Sequence, residues 1–252
     1  MSPGPRVAAL YDIHANLPAL EAVLRDVREA GIDNIVVGGD VVPGPMPHET
    51  LACLLDLDLP AQFIRGNGER EILAQLAGSE TSTVPERFRP LLRWVAGQLA
   101  PEHVRTMAGW PPALQLEIDG LGLVLFCHAS PRSDTDIFTR QTPAPRLLPL
   151  FAGLEAAVVV CGHTHMQFDR QVGGVRVINA GSVGSPYGEP GAYWLELGPQ
   201  VRLRHTRYDL PQAAARIRAT AYPGAADSAE RDVLHPPVEA DMLAAFSRAE
   251  SV

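Results

Sequence analysis

Five apolar runs in this chain end on polar residues in the same manner. Arg6 to Tyr11 runs into Asp12-Ile13-His14, Asn34 to Val37 into Gly38-Gly39-Asp40, and Gln62 to Arg65 into Gly66-Asn67; Leu121 to Cys127 runs into His128, and Ala156 to Cys161 into Gly162-His163-Thr164-His165. Short apolar runs read as buried strands. Strands that deliver Asp, Asn and His from their ends define one edge of a sheet, which is where open α/β sheets place their sites. The chain is thereby constrained to an α/β architecture and is an enzyme candidate.

Between the first strands, Asn16 and Pro18 give cap and first-turn signals, Leu20, Val23, Leu24 and Val27 recur at helical spacing, and Gly31 stops the helix. With a second helix around His48 to Leu57, the chain opens as βαβαβ, a sheet covered by helices. Glu69 to Leu76 reads as a further helix, and Pro85 to Trp110 as one or two more with Leu91, Leu92 and Val95 inward. Strands then dominate. A hairpin of Leu114 to Ile118 and Leu121 to Cys127 turns at Asp119-Gly120, a second hairpin turns at Gly173-Gly174, and strands follow at Ala192 to Leu197 and Val201 to Tyr208. The second half is expected to form a second sheet facing the first. Ser130 to Pro149, with four prolines, is expected as a long connection overhanging the site. After Tyr208, a helix at Pro211 to Ala221, a Pro/Gly/Ala/Asp-rich break and a helix near Val238 to Arg248 read as a packing or oligomer element.

The 252 residues fit one domain, with a core of about 6–208 and a C-terminal helical extension of about 209–252. Lys plus Arg total 21 against 29 Asp plus Glu, a formal charge of -8 with no basic run, which argues against long duplex nucleic acid as a partner. No segment offers about 18 uninterrupted apolar residues, so a soluble cytoplasmic protein without a membrane partner is expected. Cys53, Cys127 and Cys161 are an odd count without Cys-x-x-Cys spacing, against a disulfide framework or thiolate zinc site.

The ligand types indicate the chemistry. A carboxylate can bridge two divalent ions, imidazoles complete each shell, and an Asn oxygen is a neutral ligand that leaves room for water. Without thiolates, Mn, Fe, Co, Ni, Zn or Mg is plausible. Two ions about 3.5 to 4 Å apart activate water and stabilise the attacking and leaving oxygens of an in-line displacement, so phosphoester hydrolysis suits the set best.

Asp-x-His, Gly-Gly-Asp, Gly-Asn, His and Gly-His-x-His, in this order, resemble the signature of the calcineurin-like metallophosphoesterases, over roughly Val7 to Tyr208. Asp12-Ile13-His14-Ala15-Asn16-Leu17-Pro18-Ala19-Leu20 and Cys161-Gly162-His163-Thr164-His165 resemble their small bacterial and archaeal phosphodiesterase branch. The resemblance implies a four-layer αββα sandwich, with two facing mixed sheets and a dinuclear metal site at the strand ends. It implies Asp12, His14 and His165 on one ion, Asn67, His128 and His163 on the other, Asp40 bridging both, and a metal-bridging hydroxide as nucleophile. Asp40, Asn67 and His128 are then the candidate catalytic residues. Arg132 and Asn67 are the candidate substrate contacts, with a small phosphodiester or nucleotide as substrate and a homo-oligomer as a possible assembly.

Many relatives follow the metal-binding Asn with a His that can protonate the leaving oxygen, whereas this chain has Gly68, then Glu69 and Arg70. General acid catalysis is commonly worth about 100- to 10,000-fold. Turnover is therefore expected to favour diesters with good leaving groups over alkyl monoesters, and Gly68→His to raise activity on poor leaving groups if the backbone tolerates a side chain. The alternatives are a nucleotide or dinucleoside-polyphosphate hydrolase and a catalytically weak interaction scaffold. His48, His103, His205 and His235 read as structural or surface residues, Asn16 as a helix cap, Arg65 as a weaker phosphate clamp than Arg132, and Asn179 to Gly184 as a tight turn with some prospect of backbone contact to the site.

Overall fold

Alternation within the first strand sorts the chain into layers. In the computed structural model, which describes residues 4–79 and 84–250, β1 (Val7–Leu10) directs Ala8 and Leu10 to one side and Val7 and Ala9 to the other. Ala8 and Leu10 meet Leu20, Val23 and Val27 of α1 (Leu17–Glu29). Val7 and Ala9 meet Val124 and Phe126 of β5 (Gly122–Cys127) and Val158 and Val160 of β6 (Val158–Cys161). On the far side of β6, Val159 and Cys161 pack with Leu147, Leu150 and Phe151 of α6 (Ala144–Phe151). The layers are therefore helix, sheet, sheet, helix, with an apolar core in each of the three gaps.

The first sheet has the order β10 (Arg202–Thr206), β9 (Ala192–Leu197), β1, β2 (Asn34–Val37), β3 (Ala61–Phe63), in which β1, β2 and β3 are parallel and β9 runs antiparallel to both of its neighbours, β1 and β10. The second has the order β4 (Ala113–Ile118), β5, β6, β8 (Val175–Asn179), β7 (Phe168–Val172), with β5, β6 and β8 parallel and the outer two antiparallel. The sheets thus do not divide by halves of the chain, as expected from sequence, because β9 and β10 return to the first sheet. There β9 covers the edge of β1, which would otherwise be an open buried edge.

Helices α2 (Pro47–Leu55), α3 (Asn67–Leu76), α4 (Arg89–Gln98) and α5 (Pro101–Ala108) fill the intervals where helices were expected. Asn16 caps α1, its side-chain oxygen accepting from the Ala19 N–H at 3.2 Å. Two expectations need correction. The connection after His128 ends in α6, and its earlier part is held by short-range bonds such as Ser130 N–H to the Ser133 carbonyl. The break after α7 (Leu210–Arg218) is itself helical, α8 (Ala225–Ser228) running into a π-helical stretch Ala229–Leu234 before α9 (Glu239–Ala249). Ala225, Ala226 and Ala229 supply helix propensity that the neighbouring Pro and Gly disguise. Ala213, Ala214, Ile217, Ala229 and Val233 of this extension pack on Met46, ahead of α2. Among the described residues, no helix is long and apolar enough to cross a membrane.

Candidate metal centre

The C-terminal ends of β1, β2, β3, β5 and β6 lie on one edge, and the side chains that follow them converge there. Among the described residues, six non-glycine residues have positive φ: Asp12, His14, Ala15, Asp40, His163 and His165. Five of these are predicted ligands. Left-handed backbone costs an L-residue about 1–2 kcal/mol and persists only where surrounding structure imposes it. Here it turns the chain sharply after β1, β2 and β6; Asn67 after β3 and His128 after β5 do not share it. Gly162 lets the turns close, since a Cβ there would lie 2.4 Å from Asp12 Oδ2.

Asp12 is fully buried. Its Oδ2 accepts from the His163 N–H at 2.8 Å, while Oδ1 is buried without a hydrogen-bond partner. Around Oδ1 stand the Nε2 atoms of His165 at 3.4 Å and of His14 and His128 at 3.9 Å each. His14 and His165 face each other through Nε2 at 3.1 Å, and His128 Nε2 lies 3.6 Å from Asp40 Oδ1. Asp12, His14 and His165 form one group able to hold a cation and Asp12, Asp40 and His128 another, with ligand atoms within 4.8 Å of one another.

The backbone sets the tautomers. Nδ1 of His14, His128 and His165 lies against the carbonyl oxygens of Pro43, Gly38 and Ser185 at 3.2, 2.9 and 2.5 Å, so each Nδ1 carries the hydrogen and donates. The three Nε2 lone pairs then point at one another, at Asp12 Oδ1 and at the Asn67 oxygen, which is 3.0 Å from His128 Nε2 and 3.0 Å from His163 Nδ1. Converging lone pairs repel unless a proton or a metal cation lies between them. Turned by 180°, the Asn67 amide would donate to both rings, which requires His128 Nε2 and His163 Nδ1 to be without a proton.

The charges divide accordingly. Burial alone would raise the Asp12 carboxyl, but His165, His128 and His14 hold it well below the usual carboxylate range. Burial depresses His163 to about 4, with His128 adding to the effect, and burial and His165 depress His14. Burial also disfavours imidazolium at His128 and His165, yet Asp40 and Asp12 overcome it at His128, and Asp12 with the Ser185 carbonyl at His165. Protonation at this side of the cluster is therefore favoured on His165, beside Asp12, over His14.

Further residues brace the centre. Glu69, fully buried, accepts from the backbone N–H groups of Asp40, Val41, Val42 and Gly66 at 2.8, 2.7, 3.3 and 2.9 Å. It fastens the loop after β2 to the start of α3. Its sequence signal was the Gly66-x-x-Glu69 spacing of a capping box with glycine at the cap. Asn179 Nδ2 donates to the Gly162 carbonyl at 2.6 Å, and the Gly184 N–H and Ser182 hydroxyl donate to the Asp12 carbonyl at 3.0 and 2.7 Å. The turn from Asn179 to Gly184 thus reaches the loops of the site through two side-chain donors and one backbone N–H.

Gly68 has no room for a side chain. A Cβ would stand 2.3 Å from Pro43 Cγ and 2.9 Å from Asp40 Oδ1, and the Gly68 N–H already donates to Asp40 Oδ1 at 2.7 Å. This corrects the expectation that Gly68→His could supply a leaving-group acid. Even Gly68→Ala is expected to destabilise the protein by about 1–3 kcal/mol through overpacking, and to weaken metal binding by displacing Asp40. Urea denaturation and metal titration of the variant check this; wild-type values in both would show that the loop yields.

Arg132 is exposed, and its guanidinium donates to the Pro149 carbonyl. Arg65 and Arg132 border a recess that His128 also borders. Of the histidines read as structural, His48 packs on His103 and His205 stacks on Tyr193, while His235 meets Glu230.

Comparison with known proteins agrees with this geometry. Residues 6–197 match the family described as the calcineurin-like phosphoesterase superfamily domain. The crystal structure of a metallophosphoesterase from Sphaerobacter thermophilus is similar at 27% identity with a TM-score of 0.70, over 91% of this chain and 100% of that one. A hypothetical protein from Pyrococcus horikoshii OT3 shares the fold at 20% identity with a TM-score of 0.77, over 92% of this chain and 99% of that one. An uncharacterized protein of Methanocaldococcus jannaschii is 30% identical over 128 residues; the match covers 50% of this chain, which thus spans half the length (50%) of the curated relative it matches.

Proposed function

The chain belongs to the calcineurin-like phosphoesterase superfamily, and from that premise we propose that it is a metal-dependent phosphodiesterase acting on a small phosphodiester. The observation that carries this reading is the orphaned Asp12 oxygen among imidazole nitrogens whose hydrogens are committed elsewhere. Such a set fits divalent cations. Asp12, His14 and His165 would hold one ion, Asn67, His128 and His163 the other, and Asp40 would stand between them. When bound, the ions supply Lewis acidity, neutralising phosphoryl charge and lowering the pKa of water. Nitrogen and oxygen donors without a thiolate accept Mn, Fe, Co, Ni, Zn or Mg, and Mn is the ion we take for the tests below.

The protein residues orient and exclude. Pro43, Gly38 and Ser185 fix the imidazole tautomers through their carbonyls, Asp12 gives a buried negative charge, and Asn67 gives a neutral one-atom contact. Gly68 offers no proton donor where many relatives have one, and Pro43 fills the space, which favours substrates whose leaving group needs little protonation. A panel of matched mono- and diesters with Mn, Ni, Co, Zn and Mg tests the reading. Bis(4-nitrophenyl) phosphate should exceed 4-nitrophenyl phosphate in kcat/KM, and should exceed a dialkyl phosphate, whose leaving group needs a proton, by roughly 100-fold or more. Monoester preference would refute the diesterase assignment, and no hydrolysis with metal bound would refute the enzyme.

Metal and proton compete for the same lone pairs, so affinity should depend on pH. His128 and His165 are raised in the metal-free protein and must lose a proton on loading, whereas His14 and His163 are lowered and Asp12 is ionised. Metal affinity should therefore still be rising with pH at neutrality, with protons released on binding, and level off above the raised histidine pKa values. Calorimetry in buffers of different ionisation enthalpy measures this; a pH-independent affinity between about pH 6 and 8 would contradict the shared role of these imidazoles.

A further inference from the structure

A cavity of about 440 Å³ opens directly against His14, Asp40 and Asn67. That volume lies in the range of roughly 300–1,000 Å³ typical of small-molecule sites. Its far wall is apolar, built from Val84, Phe88, Leu91, Leu92 and Val95, on and just before α4, and from Tyr222 of the C-terminal extension. Tyr222 is set edge-on to Trp94, with ring centroids 5.2 Å apart, and Phe88 is 43% exposed at this wall. Among the described residues, no arginine borders the cavity, and the chain contains no lysine. Arg87, whose guanidinium lies 4.8 Å from the Phe88 ring centroid, is not part of the lining. Glu71 and Asp232 border it as well, and neither, charged or protonated, offers a cation to an anion. The recess beside His128 is different in kind, since Arg65, Arg70 and Arg132 border it.

We propose that this cavity is the subsite for one ester arm of the substrate, and that it takes an uncharged apolar arm, aromatic or aliphatic, and rejects an anionic one; the proposal rests on the phosphoesterase reading above. Apolar surface leaving water for this wall is stabilised in proportion to its area, by about fourfold in affinity per fully buried methylene. An anionic group placed there loses its hydration and finds no cationic partner. The wall also gives the extension past Tyr208 a part in selecting substrate, through Tyr222. A polyphosphate tail does not suit this side of the cluster.

The test is calorimetric titration of the Mn-loaded full chain with methyl-, butyl-, hexyl-, phenyl- and 2-carboxyethylphosphonate. Kd should fall roughly tenfold or more from methyl to hexyl or phenyl, and 2-carboxyethylphosphonate should bind no tighter than methyl. Leu91→Arg and Phe88→Arg should each narrow the hexyl advantage by roughly threefold or more and improve 2-carboxyethylphosphonate. If Leu91→Arg does not fold, Phe88→Arg at the exposed ring and the wild-type series decide. A flat series, tightest binding of the anionic member, or no binding of any phosphonate overturns the proposal. A protein that binds along the predicted series yet hydrolyses no diester keeps the subsite and loses the phosphodiesterase reading; hydrolysis with a flat series does the reverse.

Discussion

Asparagine in place of Asp40 is expected to leave the protein folded and to reduce diester hydrolysis by roughly 1,000-fold or more. Asp40 stands at the end of β2 with positive φ, and its Oδ1 accepts from the Gly68 N–H at 2.7 Å. An asparagine oxygen keeps that bond, so the loop and helix α3 should stay in place. The amide nitrogen that replaces Oδ2 carries no negative charge and cannot bind a cation. With one of the two carboxylates gone from the group of Asp12, Asp40 and His128, the bound metal should fall from two ions per chain toward one. Steady-state kinetics, metal content and circular dichroism on the same preparation check the three parts. Retained activity with unchanged metal content would remove Asp40 from the position between the ions.

The second large effect is on stability. Glu69→Ala should destabilise the protein by about 3–5 kcal/mol, and Glu69→Gln by about 2–3 kcal/mol, because their buried partners are all donors. Four backbone N–H groups point at this one carboxylate. Alanine leaves all four without an acceptor in a buried site. Glutamine keeps one oxygen and sets an NH2 group against donors, so it rescues only part. These losses are a large share of a typical domain stability of about 5–15 kcal/mol. Because the same loop carries Asp40, metal affinity should fall as well, although Glu69 is not proposed to touch metal. Urea denaturation with and without Mn measures both; a loss below about 1 kcal/mol for Glu69→Ala would mean that the loop holds itself.

What could be read from the chain, and what could not, follows from the range of the forces involved. The apolar runs that stop on Asp12, Asp40, His128 and His163 were legible because burial period and strand end are local properties, and the structure brings all these residues to one edge. The return of β9 and β10 to the first sheet was not legible. It is a choice between two sheet edges made by packing against β1, and nothing within Ala192 to Leu197 encodes it. Glu69 announced its local cap through its spacing from Gly66, but its bonds to Asp40, Val41 and Val42 span 27 to 29 residues. The obstruction at Gly68 is likewise set by Pro43, a residue from another loop. The positive φ of five predicted ligands is a consequence of tertiary closure, to which Asp and His are only permissive. The C-terminal extension, read as a packing or oligomer element, packs on Met46, and its Tyr222 and Asp232 also border the cavity beside His14.

The central claim, that these converging side chains hold two divalent ions needed for phosphodiester hydrolysis, is tested most directly by metal stoichiometry. The chain would be loaded with Mn, dialysed and analysed by plasma mass spectrometry, with bis(4-nitrophenyl) phosphate hydrolysis followed as metal is withdrawn and restored. The account predicts about two ions per chain and activity that disappears and returns with them. Hydrolysis that persists at full rate in metal-free protein, or a fully loaded protein that never turns over a diester, would contradict it.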